Sequence, residues 1–387
     1  MTTESFKPEP LKIAVPDSAV ADLKQRLART RWPNEPENAD WRFGSELASV
    51  KKLVEHWQEI YDWPAEQAKL NAYPHYTVEI DGQRLHYLHE PGSGLAPQPL
   101  LLIHGWPSSF YEFLPVIEPL AHPDRFDGDE AESFDVVVVS LPGYGFSPAP
   151  PAPLGPRAMA ALCQKLMAGV LGYRHFIVHG NDWGAAVASY LALEWPQALV
   201  GLSLQSLPLA PWQGPGSAPV TPPEQEFLDR LGRYWRDEIG HQAIQATKPQ
   251  TLAFALTDSP AGLAGWLLEK FRSLADTGGN LERRFSRDRL CTMLSLYWFT
   301  GAIGPASWPF YAAQHDGSLR LKAGQRIGVP TGYMAFPIAE LPRPPRAWVE
   351  RIYEVTRWSE MAAGGHFAAL EESELFIDEI RAFSRRL

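Results

Sequence analysis

Asp182 stands in the segment Phe176-Ile177-Val178-His179-Gly180-Asn181-Asp182-Trp183-Gly184-Ala185-Ala186, where an apolar run passes into alanine-rich sequence through small, residue, acid, residue, small. This is the spacing of a nucleophile elbow, the sharp strand-to-helix turn that presents a nucleophile above a central strand, with aspartate in the place of serine. Glycines flanking the turn answer a steric need, because a Cβ there would clash as the chain doubles back. No Gly-x-Ser-x-Gly occurs elsewhere in the chain. Taken by itself, the segment also fits an ordinary turn in which an aspartate caps a helix.

Two further segments supply what a nucleophilic carboxylate needs. His104-Gly105-Trp106-Pro107 follows the first core strand, where such a fold provides one backbone donor of an oxyanion hole, so the Trp106 and Trp183 amides are the expected pair. Far downstream, Gly364-Gly365-His366-Phe367 is a glycine turn that presents a histidine just before a helix. Eleven histidines are present, so position and not residue type singles out His366 as the base. Glu340, at the end of an earlier strand, completes the chain order nucleophile, acid, histidine. A solvated loop carboxylate is the alternative for Glu340.

The elements that must position these groups are legible in outline. From Phe6 to about Tyr73 the pattern is helical and aromatic, with one helix starting at Asp17-Ser18-Ala19-Val20 and another over Ser45 to Tyr61. At Tyr76 the texture turns to alternation on both sides of Asp81-Gly82, which predicts a hairpin. Strand runs follow at Leu100 to Ile103, Val136 to Val139, Phe176 to Val178 and Val200 to Leu204, with helical stretches near Arg157 to Leu171 and Ala185 to Trp195. Such alternation argues an α/β fold with a mostly parallel sheet covered on both faces. A proline-rich connector from Pro208 to Pro223 introduces about a hundred helical residues, read as an inserted cap. Strand signature returns at Val329, with helices expected near Ala347 to Tyr353 and Glu374 to Phe383. The expected division is an extension over 1–75, a core over 76–207 and 329–387, and a helical cap over 208–328.

The 387 residues suffice for one large core with an insertion, and 45% hydrophobic with 21% charged residues marks an ordinary globular chain. A formal charge of −10 argues against nucleic acid or anionic lipid as partner. Cys163 and Cys291 are the only cysteines and show no metal-ligand spacing, so neither a disulfide framework nor a metal site is expected, and no cofactor. The opening residues lack the apolar stretch of a signal peptide and no run approaches a membrane span, so a cytoplasmic protein is expected.

His104-Gly105-Trp106-Pro107, Asp182-Trp183-Gly184 and Gly364-Gly365-His366-Phe367-Ala368-Ala369-Leu370-Glu371 resemble the microsomal-type and juvenile-hormone-type epoxide hydrolases of the α/β-hydrolase superfamily. Phe6 to Trp32 is similar to that family's N-terminal extension, and Ile244 to Thr251, Thr257 to Leu263 and Leu296-Tyr297-Trp298 are similar to its cap motifs. Three positions depart from the family pattern. His241 stands where a tyrosine usually precedes Gln245 by four residues, two residues instead of one separate Phe336-Pro337 from Glu340, and Asn181 occupies a position that is often glycine. Tyr311 in Trp308-Pro309-Phe310-Tyr311 matches the second cap tyrosine.

The resemblance implies an epoxide substrate, attack by Asp182, hydrogen bonds from Tyr311 and His241 to the epoxide oxygen, and ester hydrolysis by water that His366 activates. The aromatic cap favours a bulky, apolar epoxide, and a homodimer is compatible with the sequence. Haloalkane dehalogenation shares the aspartate and histidine but expels a halide that needs no proton, so a cap phenol favours the epoxide. A hydrolase scaffold kept only for binding is the non-enzymatic alternative.

Overall fold

The computed structural model describes residues 6–37, 40–338 and 341–387. Among these residues nine strands form one sheet: β1 (Glu9–Pro10), β2 (His75–Ile80), β3 (Gln83–Glu90), β4 (Gln98–Ile103), β5 (Phe134–Val139), β6 (Phe176–Gly180), β7 (Leu199–Leu204), β8 (Ile327–Ala335) and β9 (Tyr353–Glu360). Their spatial order is β1-β2-β3-β5-β4-β6-β7-β8-β9. The first four in space pair antiparallel, and every pair from β5 to β9 is parallel.

The hairpin β2–β3 turns at Asp81 and Gly82, both with positive φ, as a tight two-residue connection between right-twisted strands requires. The central strands β4, β5 and β6 are runs of Leu, Val and Ile buried on both faces. The chain leaves β4 toward β5 on one side and β6 lies on the other, so the crevice above the carboxyl ends of β4 and β6 is a topological switch point, where ligands bind in open α/β sheets.

The sequence expectation of a helix reaching Tyr353 is corrected. The helix covers only Arg346–Glu350, and Tyr353 opens β9. Alternating exposure along this edge strand, which pairs only with β8, leaves it too polar to announce itself. The stretch Arg157 to Leu171 divides into an α-helix, Pro156–Gln164, and a wider π-helical turn, Lys165–Val170.

Between β7 and β8 lie six α-helices, Pro222–Asp237, Gly240–Thr247, Pro249–Asp258, Pro260–Leu274, Arg287–Thr300 and Trp308–Asp316. The N-terminal helix Leu47–Glu59 buries Val50, Leu53, Val54 and Trp57 along one stripe and packs against the cap helices starting at Pro260 and Arg287. Trp57 Nε1 donates to Ser295 Oγ at 2.9 Å, and the Tyr61 and Thr292 hydroxyls meet at 2.9 Å. The extension therefore holds the cap as well as edging the sheet through β1.

A second tie joins the first cap helix to the core. Arg351 grips Glu224 through Nε to Oε1 at 2.6 Å and Nη2 to Oε2 at 2.7 Å. Arg351 draws the Glu224 carboxyl down to about 2, with the Thr221 capping bonds helping and burial opposing. Removing the carboxylate leaves the Arg351 charge only the Ala218 and Pro219 carbonyls, so Glu224→Gln should destabilise the fold by about 3 kcal/mol at neutral pH. The depressed carboxyl contributes stability above its ordinary value of 4.5 and loses it as pH falls toward 2, so thermal unfolding of parent and variant should converge across that window. Parallel curves down to low pH would show that Glu224 is not the latch.

Candidate active site

Asp182 follows β6 and immediately precedes the helix Trp183–Glu194, with φ 51° and ψ −119°. For a residue with a Cβ this is strained backbone, costing about 1–3 kcal/mol, and such strain concentrates where geometry serves a site. The flanking glycines have no room for a side chain: a Cβ on Gly180 would land on the Gly184 carbonyl, and one on Gly184 on the Ile103 carbonyl. The turn is so tight that it rests on the end of β4, where Asn181 N donates to the Ile103 carbonyl at 3.2 Å.

Since β4 pairs with β6, the loop after Ile103 arrives directly over the elbow. Trp106 N donates to Asp182 Oδ1 at 2.7 Å. The Trp183 amide also favours the Asp182 carboxylate. Gly105 belongs to this contact, because a Cβ there would strike the Asp182 carboxyl. His104 shapes the loop and stays out of the chemistry: burial pushes its imidazole down to about 4, Nε2 accepts from Leu141 N at 3.2 Å, and Nδ1 lies 3.2 Å from the Gly105 carbonyl.

His366 is buried on the loop after β9, and Nε2 has no hydrogen-bond partner among the described residues. Three backbone contacts fix it. His366 N donates to the Leu274 carbonyl of the cap at 2.9 Å, while its own carbonyl accepts from Asn181 Nδ2 and from Gln205 Nε2. Asp276 extends the tie: it accepts from Gly364 N at 3.2 Å and pairs with Arg284, which also pairs with Glu372. Burial lowers the His366 imidazole below its ordinary value, with the Asp182 charge opposing. Burial likewise raises the Asp182 carboxyl, with His366 and the two amides opposing. Each group thus sits in the other's field.

The cap closes over these groups with aromatic rings. His241 is buried and stacks on Trp106, centroids 5.2 Å apart and planes 11° from parallel. Its Nδ1 is buried without a partner among the described residues. Burial first, then the Lys270 charge, push this imidazole down to about 3 against the Glu238 backbone carbonyl, so at neutral pH it is uncharged and carries one N–H. Phe310 meets Trp106 edge-on at 5.9 Å and Trp183 at 4.8 Å.

Tyr311 is half-buried one position further round the same short helix, its ring stacked 3.9 Å from exposed His315. The structure therefore brings together Asp182, His366, His241, Trp106 and Trp183, and Phe310, not Tyr311, is the residue of this helix in contact with their rings. Glu340 lies outside the described residues. Sequence reasoning missed Phe310, Gln205 and Ser206, whose Oγ accepts from Asp182 N at 2.8 Å. Gln205 and Ser206 directly follow β7, and strand-end position was the signal available for them.

Sheet order, the helices inserted between β7 and β8 and the elbow define an α/β-hydrolase fold, with Asp182 at the elbow. The family model described as alpha/beta hydrolase fold matches residues 98–277, and the one described as epoxide hydrolase N terminus matches residues 8–113. A relative from Stigmatella aurantiaca (strain DW4/3-1), named for epoxide hydrolysis, is 38% identical over 98% of this chain and 85% of its own length. Epoxide hydrolase 1 of Sus scrofa is 35% identical over 97% of this chain and 88% of its own. The solved structure of Aspergillus niger epoxide hydrolase superposes with a TM-score of 0.85 at 28% identity, covering 100% of this chain and 98% of that one. The chain belongs to the epoxide hydrolase family. Among the described residues, no helix is long and apolar enough to cross a membrane, and no group of three or more His, Cys, Asp or Glu could hold a metal ion.

Proposed function

We propose that this protein hydrolyses an epoxide to a vicinal diol through an ester on Asp182. The observation that carries the proposal is the Trp106 amide on Asp182 Oδ1, in a strained elbow beside a buried His366 Nε2 that has no partner among the described residues. With Oδ1 held by the Trp106 amide, and the carboxylate further favoured by that of Trp183, Oδ2 attacks an epoxide carbon. The C–O bond breaks and the oxygen takes a hydrogen bond from neutral His241, much as a neutral imidazole polarises a carbonyl elsewhere. The alkoxide takes its proton from solvent water, which regains it when the Asp182 carboxyl left by ester hydrolysis ionises, and becomes the first hydroxyl of the product.

Neutral His366, oriented by Glu340, then takes a proton from water, which attacks Asp182 Cγ. Oδ1, which the Trp106 amide already meets, becomes the oxyanion, and the ester C–O bond breaks as protonated His366 returns its proton to the leaving oxygen, which releases diol. Tyr311 is the second donor in this scheme and has to turn away from His315 to serve. Trp106, Trp183, His241 and Phe310 make the wall aromatic, which suits a bulky, apolar epoxide. The same proposal places the protein in the cytoplasm, acting on a small molecule without nucleic acid or membrane, leaves pairing into a homodimer open, and divides the chain after residues 75, 207 and 328.

Diol formation and halide release measured across a panel of epoxides and haloalkanes test the activity. Diol from bulky epoxides is expected, while halide release without diol points to dehalogenation and neither product to a binding scaffold. The donors are tested by rapid-mixing measurement of ester formation. His241→Phe should slow it by about 10²- to 10⁴-fold, the ordinary worth of a proton donor, and Tyr311→Phe by less. His241→Phe at the parent rate would remove His241 from the scheme.

A further inference from the structure

Beneath the His366 loop lies a carboxyl group that the scheme above leaves unused. Glu112 sits in the 3₁₀ turn Phe110–Phe113, a few residues beyond Trp106. It is wholly buried, and neither carboxyl oxygen has a hydrogen-bond partner among the described residues. Ser108 and Asn181 are the polar side chains that approach it.

Counting donors and acceptors is informative here. Asn181 Nδ2 is committed to the His366 carbonyl, whereas Asn181 Oδ1 is buried and unpartnered among the described residues. Gln205 repeats the pattern, Nε2 on the same carbonyl at 2.8 Å and Oε1 unpartnered. An ionised Glu112 would add two more acceptors to a cluster already short of donors, and only a protonated carboxyl brings an O–H. The surroundings favour that form. The helices Leu114–Ala121 and Ala368–Glu371 and strand β5 pack against the turn with Glu118, Glu371 and Asp135 as their ionisable side chains, and His75, His86 and His179 pack on the Phe110 and Phe113 rings, where burial favours their neutral forms. Asp182 is the other charge acting on Glu112, and the cation that faces this turn, Arg289, acts on Tyr111. Burial, with Glu371 and Asp182 adding to it against Ser108 and Asn181, pushes the carboxyl up to about 8.

We propose that Glu112 is a positioning residue for His366: as a neutral acid it donates to Asn181 Oδ1, which fixes the Asn181 amide on the His366 carbonyl, and its ionisation loosens that hold and slows ester hydrolysis. The kinetic consequence rests on the Asp182 ester scheme, whereas the protonation state does not.

Infrared difference spectra of parent against Glu112→Gln at pH 7 should show a protonated-carboxyl band in the parent alone. Ester decay is then followed against pH by rapid quench. In the parent, hydrolysis should fall on the alkaline side, approaching tenfold per pH unit. Glu112→Gln, which keeps a donor and cannot ionise, should stay near the parent rate at pH 7 and lose the alkaline limb. Glu112→Leu should be slow at every pH, by about tenfold or more, with ester formation unchanged. Absence of the infrared band, or an alkaline limb that persists in Glu112→Gln, overturns the proposal. If no ester forms in the parent, the Asp182 scheme falls, and the infrared band alone decides the state of Glu112.

Discussion

His366→Gln should convert the protein into one that reacts once and stops. The scheme gives His366 no part in opening the ring, so Asp182 in the variant should still be alkylated, and intact-mass measurement should find protein plus one whole epoxide. Hydrolysis of that ester should slow by about 10²- to 10⁴-fold, the usual worth of a general base, and turnover should fall equally. The pH dependence sharpens the test. His366 must be neutral to take a proton from water, and burial lowers its pKa below the ordinary value of 6.5. The Asp182 charge, which opposes that shift, disappears once the ester forms. Ester hydrolysis in the parent should therefore stay fast as pH falls through the usual imidazole range and fail only below it. Full turnover in His366→Gln, or an acid limb above the usual imidazole range, would remove His366 from the role.

Asp182→Asn should abolish both steps with little change to the fold. The amide oxygen can still accept from Trp106 N, so the loop after β4 keeps its contact with the elbow, but a carboxamide is a poor nucleophile. Loss of a nucleophile costs roughly 10⁴- to 10⁶-fold in turnover. In the parent, ester formation requires ionised Asp182, whose pKa burial raises above the ordinary 3.8. Its acid limb should accordingly lie above the usual carboxylate value and belong to ester formation, separate from the limb His366 sets on ester hydrolysis. An unchanged mass after exposure to epoxide is expected of Asp182→Asn, and an adduct retained there would mean that another side chain is being alkylated.

The parts of this site visible in the sequence are those that a backbone constraint writes into residue type. The elbow needs Gly180 and Gly184 because the Gly184 and Ile103 carbonyls crowd them, and the loop after β4 needs Gly105 because the Asp182 carboxyl fills the space of a Cβ. Buried parallel strands β4, β5 and β6 are apolar runs for the same reason, that both faces are covered. Features that depend on rotation about an axis were not legible. In the nine-residue helix Trp308–Asp316, entered through a proline, adjacent residues differ in direction by about 100°, and nothing local decides whether Phe310 or Tyr311 meets the site. Packing of the extension on the cap is equally hidden, since the apolar stripe of Leu47–Glu59 states that a face is covered without stating by what. Glu112 is silent for a third reason: a glutamate in sequence is read as solvated, and only its burial, without a partner among the described residues, sets it apart.

The central claim is the ester on Asp182, and it is tested most directly by a single turnover in oxygen-18 water with protein in excess over epoxide. Water that attacks Asp182 Cγ leaves its oxygen on the protein, so the label should appear in the peptide containing Asp182 while the first-turnover diol carries none. Label in that first diol, with the Asp182 peptide unlabelled, would show that water attacks the epoxide itself and would contradict the account.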